Sequence, residues 1–450
     1  MSLRDLPQDV LDEITRSLKA IHEKSLPSLS LVSLSLRSPT QRQIFRCITL
    51  SNDLQNTISP ISNPFSPPPH HIRLRNILTE NPTLATYIQD IQCLQFENGG
   101  VGRMELEAKH WMIYHGILLA KILRLLEDSP LKRFTIVNAP GPGSLQMNWL
   151  SLHKTLQQTL VHHIFNKETL SFVHFSGLLL PQNIFSAFVN LKDVCLGNIF
   201  WSPRDKHLLT AEEAKPDSTV QHSSPQIRGN SDLPLQSLSS LRFAISEVRH
   251  GSLELLGPKM GLDLTGLQTL QLDLVIAVPM SSITRFLLSP NLKDLIIRIP
   301  PTELDPNTNV LSTPTSINLN PVLKLRTLTL LHNPLSLSLN ELSWIDPTLS
   351  SLNPTLPLQL VAIRLTLWTD HFDTDFTPFT PFTSLSQTLS CLHQVFRRTI
   401  ELIIVHIQVV HPSLGQASGQ VEILEKVMKE HIVWDGCSEV LVLDVAAECQ

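Results

Sequence analysis

Few residues in this chain of 450 stand at spacings that chemistry uses. Its 18 histidines include two adjacent pairs, His70/His71 and His162/His163. Neighbouring side chains point different ways on a helix or strand, so neither pair is arranged to share a metal ion. No H-E-x-x-H motif accompanies them. Asp370, Asp373 and Asp375 cluster in TDHFDTDFT, with the acid density of a calcium loop but without its glycine and closing glutamate. That stretch reads as a solvated loop. GQASG sets Ser418 beside a glycine without the spacing of a nucleophile elbow, and GPGS at 141–144 reads as a turn. Neither G-x-x-x-x-G-K-[ST] nor G-x-G-x-x-G occurs, so no phosphate cradle is spelled out. The six cysteines, Cys47, Cys93, Cys195, Cys391, Cys437 and Cys449, form no C-x-x-C pair and read as buried free thiols of a reducing compartment. The sequence thus implies no cofactor, no metal and no catalytic constellation. An enzyme whose residues converge only in space stays open as an alternative.

Composition narrows the class further. Hydrophobic residues make up 42% and charged residues 17%, enough for a sizeable core and too apolar for global disorder. The net charge of −5 argues against a nucleic-acid partner, which asks for a basic field. The 32 prolines against 16 glycines imply many element-breaking loops. The longest apolar helix-like run, GILLAKILRLL, contains Lys121 and Arg124 and is too short to span a bilayer. The opening MSLRDLPQDV carries acids where the apolar region of a signal peptide would begin. These features point to the cytoplasm and/or nucleus, with no membrane partner.

The elements that give the chain its character are apolar faces. In residues 6–21, Val10, Leu11, Ile14, Leu18 and Ile21 form one stripe at helical spacing, with Asp9, Asp12, Glu13 and Arg16 opposite. Pro7 suits an early helical position, Asp5 an N-cap, and the acids the positive end of the helix dipole. The next stretch, LPSLSLVSLSLR, fits two periods. It alternates like a strand at Leu29, Leu31, Leu34 and Leu36, and it fits a helix through Leu29, Val32 and Leu36. Its serines favour the strand slightly.

Together these stretches carry a resemblance. L-P-x-D-V-L-x-E-I-x-x-x-L at Leu6–Leu18, L-x-x-L-S-L-V-S-x-x-L-R at Leu26–Arg37, and then Phe45, resemble the F-box. The resemblance covers about the first fifty residues. It implies a small three-helix domain, and so a helix for the ambiguous stretch. It also implies docking on a Skp-type adaptor and, through it, a cullin-RING scaffold. The expected contacts are Leu6, Pro7, Val10, Leu11, Ile14, Leu18, Leu31 and Val32, some of which must instead hold the domain together.

Beyond a Pro-rich stretch, SNPFSPPPHH, the chain repeats a short pattern, L-x-x-L-x-L with apolar substitutes. It reads at Ile91/Leu94/Phe96, Leu131/Phe134/Ile136, Leu170/Val173/Phe175, Leu191/Val194/Leu196 and Leu238/Leu241/Phe243. It continues at Leu267/Leu270/Leu272, Leu292/Leu295/Ile297, Leu325/Leu328/Leu330 and Leu360/Ile363/Leu365. Each copy suits a short strand with one buried face, and helical stretches precede several of them. A lone strand–helix unit cannot bury its apolar face, whereas stacked units share a core. The spacing is irregular, from about 20 to nearly 50 residues, against roughly 20–29 in regular leucine-rich repeats. The expected architecture is α/β: an N-terminal three-helix F-box followed by an irregular leucine-rich-repeat solenoid with a curved parallel sheet. A doubly wound α/β sheet is the alternative.

The expected boundaries are 1–50 for the F-box-like domain, 51–84 for a Pro-rich linker, and 85–200 and 235–450 for the two parts of the repeat body. A polar mobile insertion at 201–234 separates those parts, a loop insertion falls at 300–321, and CSEVLVLDV at 437–445 supplies one more strand. Such a chain resembles the F-box proteins with leucine-rich repeats, which implies the substrate-recognition subunit of a Skp-cullin-F-box ubiquitin ligase, itself without catalysis. The alternative is a non-catalytic leucine-rich scaffold whose F-box-like hairpin does not engage the ubiquitin machinery. The x positions of the repeats nominate a face for an unknown protein substrate: Lys132, Arg133, Thr135, Gln268, Thr269, Gln271, Lys293, Asp294, Arg326 and Thr327.

Overall fold

A computed structural model describes residues 6–51, 70–96, 111–139, 147–181, 183–202, 236–245, 260–274, 280–299, 316–332, 344–368, 380–411, 421–422 and 441–449. The chain divides into two compact units: residues 1–236 with 258–262, and residues 237–257 with 263–450. Both are α/β with parallel sheets.

The first unit opens with three helices, α1 (Gln8–His22), α2 (Leu26–Val32) and α3 (Leu34–Phe45). The helix starts just after Pro7, whose carbonyl accepts the first intrahelical bond from the Leu11 N–H. Asp5 lies outside the described residues. The stretch that composition assigns to a strand is helical, broken only at Ser33, which is extended. Helix α3 then runs straight into strand β1 (Cys47–Ser51), where the Arg46 carbonyl accepts from the Gln89 and Asp90 N–H groups. The sheet therefore begins inside the stretch assigned to the F-box, forty residues or so before its expected start. The linker expectation also fails in its second half. Residues 70–80 form α4 (His70–Glu80) and Pro82–Tyr87 a 3-10 turn, with Leu74, Leu78 and Leu84 buried.

The rest of the ladder is β2 (Asp90–Phe96), β3 (Arg133–Ala139), β4 (Phe172–Ser176) and β5 (Asp193–Gly197), paired parallel in chain order. The register aligns Ile48, Ile91, Phe134, Val173 and Val194, and two residues on Leu50, Cys93, Ile136, Phe175 and Leu196. Side chains two apart share a face, so these rows form one apolar surface. All but half-buried Ile48 are buried. Helices fill the crossovers: α5 (Trp111–Tyr114), α6 (Gly116–Arg124) and α7 (Lys154–Thr159), the last continuing as a π-turn over Leu160–Phe165. Phe165 packs its ring among Phe134, Trp149, Phe175 and Phe188.

The second unit repeats the plan with β6 (Ser240–Ile245), β7 (Thr269–Leu274), β8 (Asp294–Ile299), β9 (Thr327–His332), β10 (Leu360–Trp368), β11 (Leu402–His411) and β12 (Leu441–Cys449). All are parallel and again in chain order. Its helices are α8 (Met280–Leu287), α9 (Ile345–Ser350) and α10 (Thr380–Val395). Within each unit the order never reverses, whereas a doubly wound sheet reverses at a switch point.

Seven of the nine sequence triplets are buried at all three positions. The outer two are out of register. At β2 the equivalent triplet is Ile88/Ile91/Cys93, and Leu94 turns to the opposite face. At β10 it is Leu358/Val361/Ile363 in place of Leu360/Ile363/Leu365. Two further copies were not read: Phe45/Ile48/Leu50 at β1 and Ile400/Ile403/Val405 at β11. The expected C-terminal strand is present as β12, with 437–440 outside the described residues. Of the polar insertion, residues 201 and 202 belong to a short strand and 203–235 lie outside the described residues. The end of the 300–321 loop is anchored: Ile317 and Leu319 are buried, and their N–H groups donate to Thr348 Oγ1 and Ser351 Oγ at 3.0 and 2.8 Å. Residues 300–315 lie outside the described residues, as do TDHFDTDFT, GPGS and GQASG.

Candidate functional site

Helix α1 presents two apolar edges. At 100° per residue, Val10, Ile14 and Ile21 share one line, while Leu11, Thr15 and Leu18 share the next. The second line is the packed one. Leu11 and Thr15 are buried, as are Leu26 of α2 and Leu36, Pro39, Thr40 and Gln43 of α3. Thr15 satisfies its hydroxyl by donating to the Asp12 carbonyl at 3.0 Å. Polar ties close the module: Arg42 pairs with Asp12 at 2.8 Å, and Lys19 Nζ donates to the Gln43 carbonyl at 3.0 Å. The Arg42 guanidinium also sits 6.0 Å from the Tyr87 ring, joining the helices to the turn that enters β2.

The first line is more open. Val10, Ile14 and Ile21 are 38%, 41% and 82% exposed, and Leu31 and Leu34, flanking the α2–α3 junction, are 88% and 79% exposed. Other large exposed apolar side chains among the described residues fall singly along the chain. Isolated ones are ordinary, whereas five on one small module stand out.

The expected adaptor residues thus separate into groups. Val10, Ile14 and Leu31 are exposed, Pro7 is exposed beside them, and Leu6 and Leu18 are half-buried. Leu11 is 4% exposed and belongs to the core of the module, which corrects its assignment as a contact. The side chain of Val32 lies outside the described set. Ile21 and Leu34, outside the expected set, are exposed as well. Ile21 lies on the sequence stripe of α1, and Leu34 figures only in the strand-like alternation of the second stretch.

The expected substrate residues fall in two places. Arg133 and Thr135 lie on the exposed face of β3, but Arg133 is engaged within the sheet, with Asp90 at 3.6 Å and its guanidinium 4.1 Å from the Phe172 ring. Thr135 is buried, which corrects its assignment to an open substrate face. In the second unit, Thr269, Gln271, Asp294 and Thr327 lie on the exposed face. Gln268, Lys293 and Arg326 stand one residue before their strands, and their carbonyls each accept two N–H groups from the next strand, at 2.7–3.0 Å. Lys132 holds the same place in the first unit. These four are ladder-edge residues, not members of the sheet face.

Among the described residues, no group of three or more His, Cys, Asp or Glu side chains is placed to hold a metal ion, and no helix is long and apolar enough to cross a membrane. His71 packs against Trp111 and His115, with ring centroids 6.1 and 4.6 Å away. The thiols differ among themselves, which corrects their common assignment as buried. Cys93 and Cys195 are buried, Cys47 is half-buried and Cys391 is exposed. Burial alone pushes the Cys93 thiol up to about 12. Cys47 is raised by burial first and then by the charge of Asp90, against the opposing pull of Lys19.

No protein-family model matches the sequence, and comparison with curated proteins finds no match.

Proposed function

We propose that this chain is the substrate-recognition subunit of a Skp-cullin-F-box type ubiquitin ligase. Helices α1–α3 dock on the Skp-type adaptor, and the parallel-sheet body, an irregular leucine-rich array, holds a target protein. The observation that carries this reading is the exposure of Val10, Ile14 and Ile21 along α1 and of Leu31 and Leu34 at the α2–α3 junction, on a three-helix module bearing the F-box pattern. The sequential parallel order and the in-register apolar triplets support the leucine-rich assignment. The chain performs no covalent step in this role. It raises the effective concentration of a target lysine beside an activated partner. The site of action is the cytoplasm or nucleus, where that machinery works.

Co-purification of the full chain with a recombinant Skp-type adaptor tests the proposal. The full chain is required because α3 and β1 are continuous. A stoichiometric complex is expected. Absence of a complex at micromolar concentrations overturns the reading in favour of a leucine-rich interaction scaffold.

A further inference from the structure

The exposed sheet face of the second unit has an uneven charge pattern. One row crosses six strands in register: Asp273, Arg298, Leu331, Arg364, His406 and Asp444 on β7 to β12. The acids of this row are already engaged. Asp273 accepts from Arg242 at 2.9 Å and from Gln271 at 2.9 Å, and Asp444 pairs with His406 at 2.8 Å. The two arginines are not. Among the described residues no carboxylate pairs with Arg298 or Arg364, and Arg364 is exposed. Strands lie about 4.8 Å apart, so these two backbones stand roughly 10 Å from each other with Leu331 between them. Two long guanidinium side chains at that separation can converge on one carboxylate, and Arg binds carboxylates with a planar fork of donors.

The next rows toward the strand entries are apolar at this end of the sheet. Ala362, Ile404 and Val442 stand side by side one row away, and Leu360 and Leu402 side by side in the row beyond. The same rows over β6 to β7 hold Arg242, Gln271, Ser240 and Thr269 instead. Ala362 is buried and Leu360, Leu402 and Ile404 are half-buried. Such a partly exposed apolar strip, beside two arginines with no carboxylate partner among the described residues, is complementary to an acidic segment with apolar neighbours.

We propose that this face binds an extended acidic segment of a partner protein, with a carboxylate held between Arg298 and Arg364 and apolar side chains laid along Leu360, Leu402 and Ile404. The proposal deepens the receptor reading by naming what the target presents, and adaptor capture is scored separately, so one can fail without the other. The test is fluorescence anisotropy of the full chain with a labelled peptide of repeating Leu-Glu-Gly, beside Leu-Lys-Gly and Leu-phosphoSer-Gly versions. The Glu peptide is expected to bind, with affinity falling as salt rises. Arg298→Glu with Arg364→Glu should weaken it at least about tenfold while gaining affinity for the Lys peptide, with the melting curve and adaptor capture unchanged. Equal binding of the Glu and Lys peptides by the wild-type chain overturns the proposal, with no variant needed. Binding of the phosphoserine peptide alone, or no peptide binding at all, also overturns it.

Discussion

Ile14 and Leu31 separate docking from folding. Leu31 is 88% exposed and Ile14 41%, so truncating both to Ala removes little that the free chain buries. Surface substitutions of this kind stay within about 0.5 kcal/mol of stability each. Leu11, on the adjoining line of the same helix, is 4% exposed, and Leu→Ala at such a site costs roughly 2–5 kcal/mol. An adaptor covering the exposed line would bury most of Leu31 and the open part of Ile14. At roughly 1.5–3 kcal/mol for full burial of such a side chain, the pair contributes about 3 kcal/mol to docking. With 1.4 kcal/mol per tenfold, Ile14→Ala/Leu31→Ala should weaken adaptor binding more than about a hundredfold. Isothermal titration of the full chain with the adaptor reads the affinity, and a thermal melt reads the fold. Expected are an unchanged melt with lost affinity for the double variant, and a lowered melt with retained affinity for Leu11→Ala below its transition. Wild-type affinity in the double variant refutes the argument, because no other cluster of exposed apolar side chains of this density lies on the described module.

Four further outcomes follow. Phe165→Ala empties a fully buried site bounded by four aromatic rings and should cost about 3–5 kcal/mol, seen as an earlier thermal transition. Gly177 has φ +69°, and a Cβ there would lie 2.0 Å from the Asn138 carbonyl oxygen. Gly177→Ala should therefore destabilise by at least about 1–3 kcal/mol and open the chain to limited proteolysis between β3 and β4. Burial raises the folded thiol of Cys93 from 9.0 to about 12, so its contribution is whole below pH 9.0 and lost as pH climbs toward 12. Stability should fall above about pH 9, and Cys93→Ala should flatten that decline. Iodoacetamide at about pH 8 should label exposed Cys391 in the native chain and spare Cys93, by peptide mapping.

The ladder was legible wherever leucine or a close substitute filled all three buried places, as at Leu267/Leu270/Leu272 and Leu292/Leu295/Ile297. It slipped where another residue did the packing. At β2 the third buried place belongs to Cys93, a small hydrophobe that a leucine template passes over, so the pattern jumped to Leu94 and Phe96. At β10 the apolar run is long on both faces, and period two alone cannot say which alternate set faces inward. The copy at Phe45/Ile48/Leu50 was hidden because Phe45 ends α3 and opens the ladder at once, serving two elements that had been drawn as separate domains.

The exposed apolar edge was harder to read for a reason specific to α1. A helix packed on one side shows a single apolar arc at least about 100° wide, and sequence assigns that arc to the core. Here the arc is shifted from the packed line. The packed line buries Leu11 and, one turn on, Thr15, whose hydroxyl turns back to the Asp12 carbonyl, while the apolar residue beside Thr15, Ile14, is 41% exposed. If core packing alone had set this helix, the more apolar of the two would occupy the interior, since burying a hydroxyl contributes less than burying a butyl group and demands a hydrogen bond. An apolar line kept outside a satisfied hydroxyl is what a helix with two partners requires. One partner is α3. The other edge leaves Val10 and Ile14 partly and Ile21 largely exposed, and that exposure, more than the motif itself, is the physical ground for testing a second protein there.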